Sequence, residues 1–304
     1  MTGRAIARPG ARFIDPATLA RIADLELVAK TVVDGFIAGL HRAPHLGLSL
    51  DFAEHRPYIP GDDVRRIDWR LYARTDRHYV KEYEATTNAD STVVLDVSRS
   101  MAYAGGGVSK LDYARFLAAT LTYFSHRQRD RVGFVAFADD VVERVPPSAR
   151  HLDAVLHALD RLEPTRRGRL DTPMRRIAQS LKRRGIAIVI SDFYEEPESA
   201  VAAVRQLRAR GGDVIVFHVL DPAELEFPFD HAATFQDLES GERIPVVPAE
   251  LRARYRELVE AHTAALARLF ARDGIDYTLL NTAAPLDHAL FGYLAARRRL
   301  SMVR

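Results

Sequence analysis

From residue 91 to the C-terminus, apolar runs of strand length alternate with longer segments of helical spacing, and this alternation narrows the possible folds more than any other feature. Thr92 to Val97, Val132 to Phe137, Ile186 to Ser191, Asp213 to Leu220 and Asp276 to Leu280 read as strands. Most are near-continuous in Val, Ile, Leu and Phe, as strands covered on both faces are. Helical stretches separate them at Leu111 to His126, His151 to Leu162, Met174 to Arg183, Ser199 to Arg210 and Glu250 to Arg272, and Leu286 to Arg298 comes last. Parallel neighbours need a crossover of about a dozen residues or more, usually a helix. The pattern therefore predicts an α/β fold: a doubly wound, mainly parallel sheet with helices on both faces. Val141 to Val145 is expected to pair with Val132 to Phe137 as an edge hairpin.

The first ninety residues follow another pattern, so the chain divides into an N-terminal extension at 1–89, with a helix and a strand, and a main domain at 90–304. Leu19, Ile22, Leu25, Leu27, Val28, Val32, Phe36 and Leu40 have helical spacing over 16 to 41, opened by Asp15-Pro16 as cap and first helical position. His78 to Glu84 alternates apolar and polar residues as a half-buried strand does. Trp69, the single tryptophan, is expected to be a core anchor joining the extension to the main domain.

Composition excludes several kinds of chemistry. Without cysteine there are no disulfides, thiolate zinc sites or cysteine nucleophiles. A net charge of +2 does not call for nucleic acid. The helix-spaced Arg65, Arg66, Arg70, Arg74 and Arg77 are interleaved with Asp62, Asp63, Asp68 and Asp76, which predicts ion pairs rather than a phosphate-binding face. No apolar run approaches the ~20 residues of a membrane helix, and Met1 to Ile14 lacks an apolar core. The expectation is a cytoplasmic protein without membrane insertion.

Three segments carry the candidate chemistry. Asp96-Val97-Ser98-Arg99-Ser100 leaves the C-terminal end of a predicted strand with a carboxylate and two hydroxyls at alternate positions. Hard cations such as Mg²⁺ favour such oxygens, and open parallel sheets bind ligands at their C-terminal edge. Thr172 lies in the loop Arg167 to Pro173 ahead of a helix, and Asp192 ends another strand. The plainer reading makes Asp96 and its serines a turn satisfying backbone donors, and Asp171 a helix cap with Thr172 and Pro173 in the first turn.

The order and spacing of Asp96, Ser98, Ser100, Thr172 and Asp192 resemble a von Willebrand factor A-type domain with a metal-ion-dependent adhesion site. The resemblance implies Mg²⁺ or Mn²⁺ held directly by the two serines and the threonine, with Asp96 and Asp192 acting through water. An acidic residue of a partner protein would then complete the shell. Arg56-Pro57-Tyr58-Ile59-Pro60-Gly61-Asp62-Asp63, Arg66-Ile67-Asp68-Trp69-Arg70 and Tyr79-Val80-Lys81-Glu82-Tyr83-Glu84 resemble the hallmark of the domain-of-unknown-function 58 (DUF58) family. That resemblance implies partnership with a MoxR-type AAA+ ATPase and its client in chaperone-like assembly or maturation of protein complexes.

A non-enzymatic protein-interaction module is the function these features predict. The alternative is a Mg²⁺-dependent hydrolase or phosphatase using Asp96, resembling haloacid-dehalogenase-type enzymes. That chemistry wants a second carboxylate two residues on, where Ser98 stands.

Overall fold

A computed structural model describes residues 14–42, 55–58, 67, 69–81, 89–164, 166–181, 185–209 and 211–302. The chain divides into two compact units, a small one within 34–87 and a large one made of 12–33 with 88–304.

In the large unit, six strands form one sheet: β3 (Asp90–Asp96), β4 (Arg131–Phe137), β5 (Val141–Ser148), β6 (Gly185–Ser191), β7 (Asp213–Leu220) and β10 (Asp276–Asn281). Their spatial order is β10-β7-β6-β3-β4-β5, and every pairing is parallel except that of the edge strand β5 with β4. The doubly wound, mainly parallel α/β expectation holds, as does the edge hairpin. Central β3 is buried at every position, which is why its sequence reads as a continuous run rather than an alternating one. β5 instead alternates between half-buried and exposed, and its prolines Pro146 and Pro147 are tolerated because an edge strand needs fewer ladder donors. Gly133 has a local reason: a Cβ there would lie 2.9 Å from the Pro147 backbone nitrogen, where the β4–β5 register shifts.

Helices cover both faces. α6 (Asp171–Ser180), α7 (Pro197–Arg208) and α9 (Pro248–Arg272) bury Met174, Ile177, Val201, Val204, Leu266 and Phe270 in one cluster with Val94, Val135, Val189 and Val216 of the sheet. α4 (Lys110–Arg127) and α10 (Asp287–Met302) meet through Phe124 and Tyr293, whose rings stand edge-to-face 6.0 Å apart. α5 (Leu152–Asp160) packs beside α4. From β3 the chain runs to β4 on one side, then returns to place β6 on the other. The order therefore reverses between β3 and β6, and ligands of doubly wound sheets bind in the crevice above such a switch point.

Residues 221–249, which show no strand or helix period in sequence, form the short helix α8 (Pro222–Glu226) and an antiparallel hairpin of β8 (Ala233–Gln236) and β9 (Arg243–Val246).

The helical period over 16 to 41 resolves into α1 (Pro16–Leu19) and α2 (Leu25–Arg42). Asp15 caps the first through Ala17 N–H at 3.1 Å, as expected. Asp24 starts the second by accepting from Glu26 N–H at 2.8 Å, and this second cap breaks the run.

In the small unit, β1 (His55–Pro57) pairs antiparallel with β2 (Tyr79–Lys81), and α3 (Trp69–Thr75) lies between them in sequence. The expected strand from His78 is present in β2, while its residues 82–84 fall outside the described residues. Much of the hallmark segment, 59–66 and Asp68, also falls outside them. Trp69 is not a core anchor. It is 57% exposed, its ring edge-on to Tyr72 at 6.0 Å and to His78 at 6.4 Å beside the stacked Tyr72–His78 pair, so a surface aromatic cluster accounts for it. Among the described residues no helix is long and apolar enough to cross a membrane.

Candidate functional site

Two of the three chemistry-bearing segments meet above the switch point. β3 ends at Asp96 and β6 at Ser191, one residue before Asp192. Asp96 is 4% exposed, and both of its oxygens are engaged: Oδ1 accepts from Ser98 N–H at 2.9 Å and Oδ2 from the Ser191 hydroxyl at 2.6 Å. The first contact folds the chain back after β3 into the 3₁₀ turn Arg99–Ala102, which places Ser98 and Ser100 side by side with hydroxyl oxygens 3.0 Å apart. Ser98 and Ser100 are both buried.

Electrostatically the site carries surplus negative charge. Burial, then the neighbouring Asp192 carboxylate, pushes the Asp96 carboxyl up to about 7, against the hydrogen bonds from Ser191 and Ser98 that favour its charged form. Asp192 is held by Lys110, whose Nζ lies 2.8 Å from Asp192 Oδ2 and 2.8 Å from Glu224 Oε1. Lys110 is fully buried. Burial alone would lower its pKa, but Asp192 and Glu224 together hold it above the ordinary lysine value. The ring of Tyr194 covers the ammonium at 4.6 Å. Glu224 is fixed in turn by accepting from Asp221 N–H at 2.9 Å in a capping box of α8.

The third segment enters through its earlier residues. Arg166 bridges to Ser98, and its carbonyl accepts from Arg99 N–H at 2.9 Å. Gly168 lies so close that a Cβ there would sit 2.9 Å from Ser98 Cβ and 3.2 Å from Ser98 Oγ. Thr172 lies in the first turn of α6, and among the described residues it has no hydrogen bond to the other four predicted ligands. The cap position belongs to Leu170, without a side-chain cap, while Asp171 pairs with Arg175 at 2.9 Å. Gly168→Ala is expected to destabilise the chain by about 1–3 kcal/mol through this overlap. A thermal midpoint equal to wild type would show that the loop moves aside freely.

Sequence reasoning missed Lys110, Ser191, Gly168, Glu224 and Glu239. Glu239, in the β8–β9 turn, accepts from Ser100 N–H through Oε1 and from Gly168 N–H through Oε2, each at 2.8 Å. A lysine among so many arginines, on the buried side of a helix start, was the one available signal for Lys110. Among the described residues no three His, Asp or Glu side chains gather as a metal cage, so any cation here would depend on the serine hydroxyls.

Comparison with known proteins gives one family. The profile described as Protein of unknown function DUF58 matches residues 54–265. Uncharacterized protein Rv1480 of Mycobacterium tuberculosis is 30% identical over 292 residues, 94% of this chain and 91% of that one. Among solved structures, an aerotolerance-related membrane protein from Bacteroides fragilis aligns with TM-score 0.48 and 20% identity, over 68% of this chain and 98% of that one. BatB from Bacteroides thetaiotaomicron aligns with TM-score 0.48 and 20% identity, over 69% and 98%. The VWA domain of SpRpn10 aligns with TM-score 0.37 and 11% identity, over 67% and 93%.

Proposed function

The chain belongs to the DUF58 family, and from that premise we propose that it is a non-enzymatic protein-interaction module whose sheet edge binds Mg²⁺ or Mn²⁺ and captures an acidic residue of a partner. The carrying observation is the buried Asp96 carboxylate at the switch point, pushed toward neutrality by burial first and Asp192 second, beside two hydroxyl oxygens 3.0 Å apart. The donor set fits a hard cation. Cis ligands of an octahedral Mg²⁺ stand about 3 Å apart, and the two serine oxygens are 3.0 Å apart. Asp96, Asp192 and Glu224 outnumber the one ammonium of Lys110, so added positive charge is favoured.

Ser98 and Ser100 would hold the ion directly, Asp96 and Asp192 would neutralise it, and Thr172 would reach it from the head of α6. When bound, the cation supplies a positive centre for a partner's carboxylate. Ser98, rather than a second carboxylate, stands two residues after Asp96, and this supports binding over phosphatase-type chemistry. The partner in this reading is a MoxR-type AAA+ ATPase or its client, as the family resemblance implies.

Calorimetric titration with Mg²⁺ and Mn²⁺ tests the site. Wild type is expected to bind, and Ser98→Ala to lose on the order of tenfold or more, since it removes a direct ligand. No cation binding to wild type, with or without the ATPase, would remove the metal from the mechanism.

A further inference from the structure

The β8–β9 hairpin touches the site with a single acidic side chain. From Ala233 to Val246 every residue is exposed except Phe235, Glu239 and Val246, which are half-buried. Phe235 anchors the base of the hairpin. Its ring stacks on Phe227 at 5.5 Å and stands edge-on to Phe229 at 4.9 Å, and Phe227 packs on Tyr255 of α9 at 4.6 Å. At the tip, Asp237 Oδ1 accepts from Glu239 N–H at 2.7 Å and Ser240 N–H at 3.2 Å, and this turn presents the Glu239 side chain. Its two oxygens then divide between the Ser100 and Gly168 amides, while Arg167 Nε donates to the Glu239 carbonyl at 2.9 Å.

Two backbone N–H groups from separate loops thus converge on one carboxylate. Ser100 lies at the start of the 3₁₀ turn, where an N–H has no intrahelical acceptor, and Gly168 lies in a loop, so both need an acceptor. One comes from Ser100, the other from the glycine pressed against Ser98. The receiving position is therefore built of main chain, and its paired donors match the two oxygens of a carboxylate. We propose that Glu239 is an internal occupant of the position that receives a partner's carboxylate, and that the β8–β9 hairpin is a displaceable arm keeping the site closed. The inference rests on the reading of this sheet edge as a carboxylate-capturing site. It adds that the partner presents an Asp or Glu side chain on a protruding turn, as this hairpin does, and that binding exchanges one carboxylate for another.

A closed site lowers the apparent affinity of any competitor by the fraction of time it is open. The test uses the full chain labelled with ¹⁵N and N-acetyl-glutamyl amide as a monocarboxylate probe, first in EDTA and then with Mg²⁺. In Glu239→Ala the Ser100 and Gly168 amide signals are expected to shift saturably, with affinity on the order of tenfold or more above wild type. Glu239→Gln, which keeps an acceptor oxygen but no charge, should fall between the two and serves equally if the alanine variant is unstable. Equal probe affinity in wild type and both variants would overturn the proposal, as would no response at these two amides in any of them. The EDTA arm involves no cation, so failure of metal binding leaves this result standing. Conversely, cation binding with no gain in the variants refutes the hairpin arm alone.

Discussion

Lys110→Met is expected to destabilise the chain by about 3–5 kcal/mol, the range for removing one partner of a buried ion pair. Lys110 is the first residue of α4, where the helix macrodipole disfavours a cation, so the helix itself gives no reason for a lysine there. Its reason is the pair of carboxylates 2.8 Å from Nζ, with side chains only 4% and 12% exposed. Methionine keeps the length and apolar stem of the side chain and leaves Asp192 and Glu224 buried without a counter-charge, next to Asp96. The thermal midpoint should fall on the order of 10 °C. Two buried carboxylates without their cation cost most when charged, so the deficit should be smaller in acid than in base. Denaturant unfolding at pH 5 and pH 8 measures both effects. A loss below about 1 kcal/mol, the same at both pH values, would mean that the ammonium is solvated rather than locked between the two acids.

The contrast between Lys110 and Asp96 explains what was legible in the sequence. β3, β6 and β7 are readable because strands covered on both faces must be apolar at nearly every position, and helix periods between them fix the crossovers. Asp96 and Asp192 are readable because a polar residue that ends such a run must lie at the sheet edge. The ion pairs and anion contacts were not, since Lys110 meets Asp192 across 82 residues, Glu224 across 114, and Ser100 meets Glu239 across 139. Those separations are set by the strand order, which no local period encodes. The β8–β9 hairpin escaped for a related reason: its residues are nearly all exposed, so burial imposes no alternation on them. At 16 to 41 the helical period persists across the Asp24 cap, and the break lies in one side-chain hydrogen bond rather than in the apolar spacing.

Freed of divalent cations by EDTA, the wild-type chain should lose the destabilisation that Asp96 imposes as pH falls from about 7 toward 4, contrary to the usual behaviour of a carboxylate. The Asp96 carboxyl is pushed up to about 7 in the folded chain from an ordinary 3.8, by burial first and by Asp192 second. Within that window the folded chain holds a proton that the unfolded chain has released, so raising the pH favours unfolding. The full shift corresponds to an effect on the order of 4 kcal/mol. Other groups oppose the trend. Burial drives His218 down to about 3, and its neutral form is increasingly disfavoured below the ordinary histidine range. The comparison with Asp96→Asn isolates the acid. The amide keeps one acceptor for the Ser98 N–H or Ser191 hydroxyl and carries no charge, so the variant should exceed wild type by about 2 kcal/mol at pH 8 and match it near pH 4. Mg²⁺ should then raise the stability of wild type at pH 8 and leave the variant unchanged, because a ligand stabilises only the state that binds it. A wild-type minus variant difference that stays flat from pH 4 to pH 8 would show that Ser98, Ser191 and Lys110 already neutralise the site, leaving no electrostatic cost for a cation to relieve.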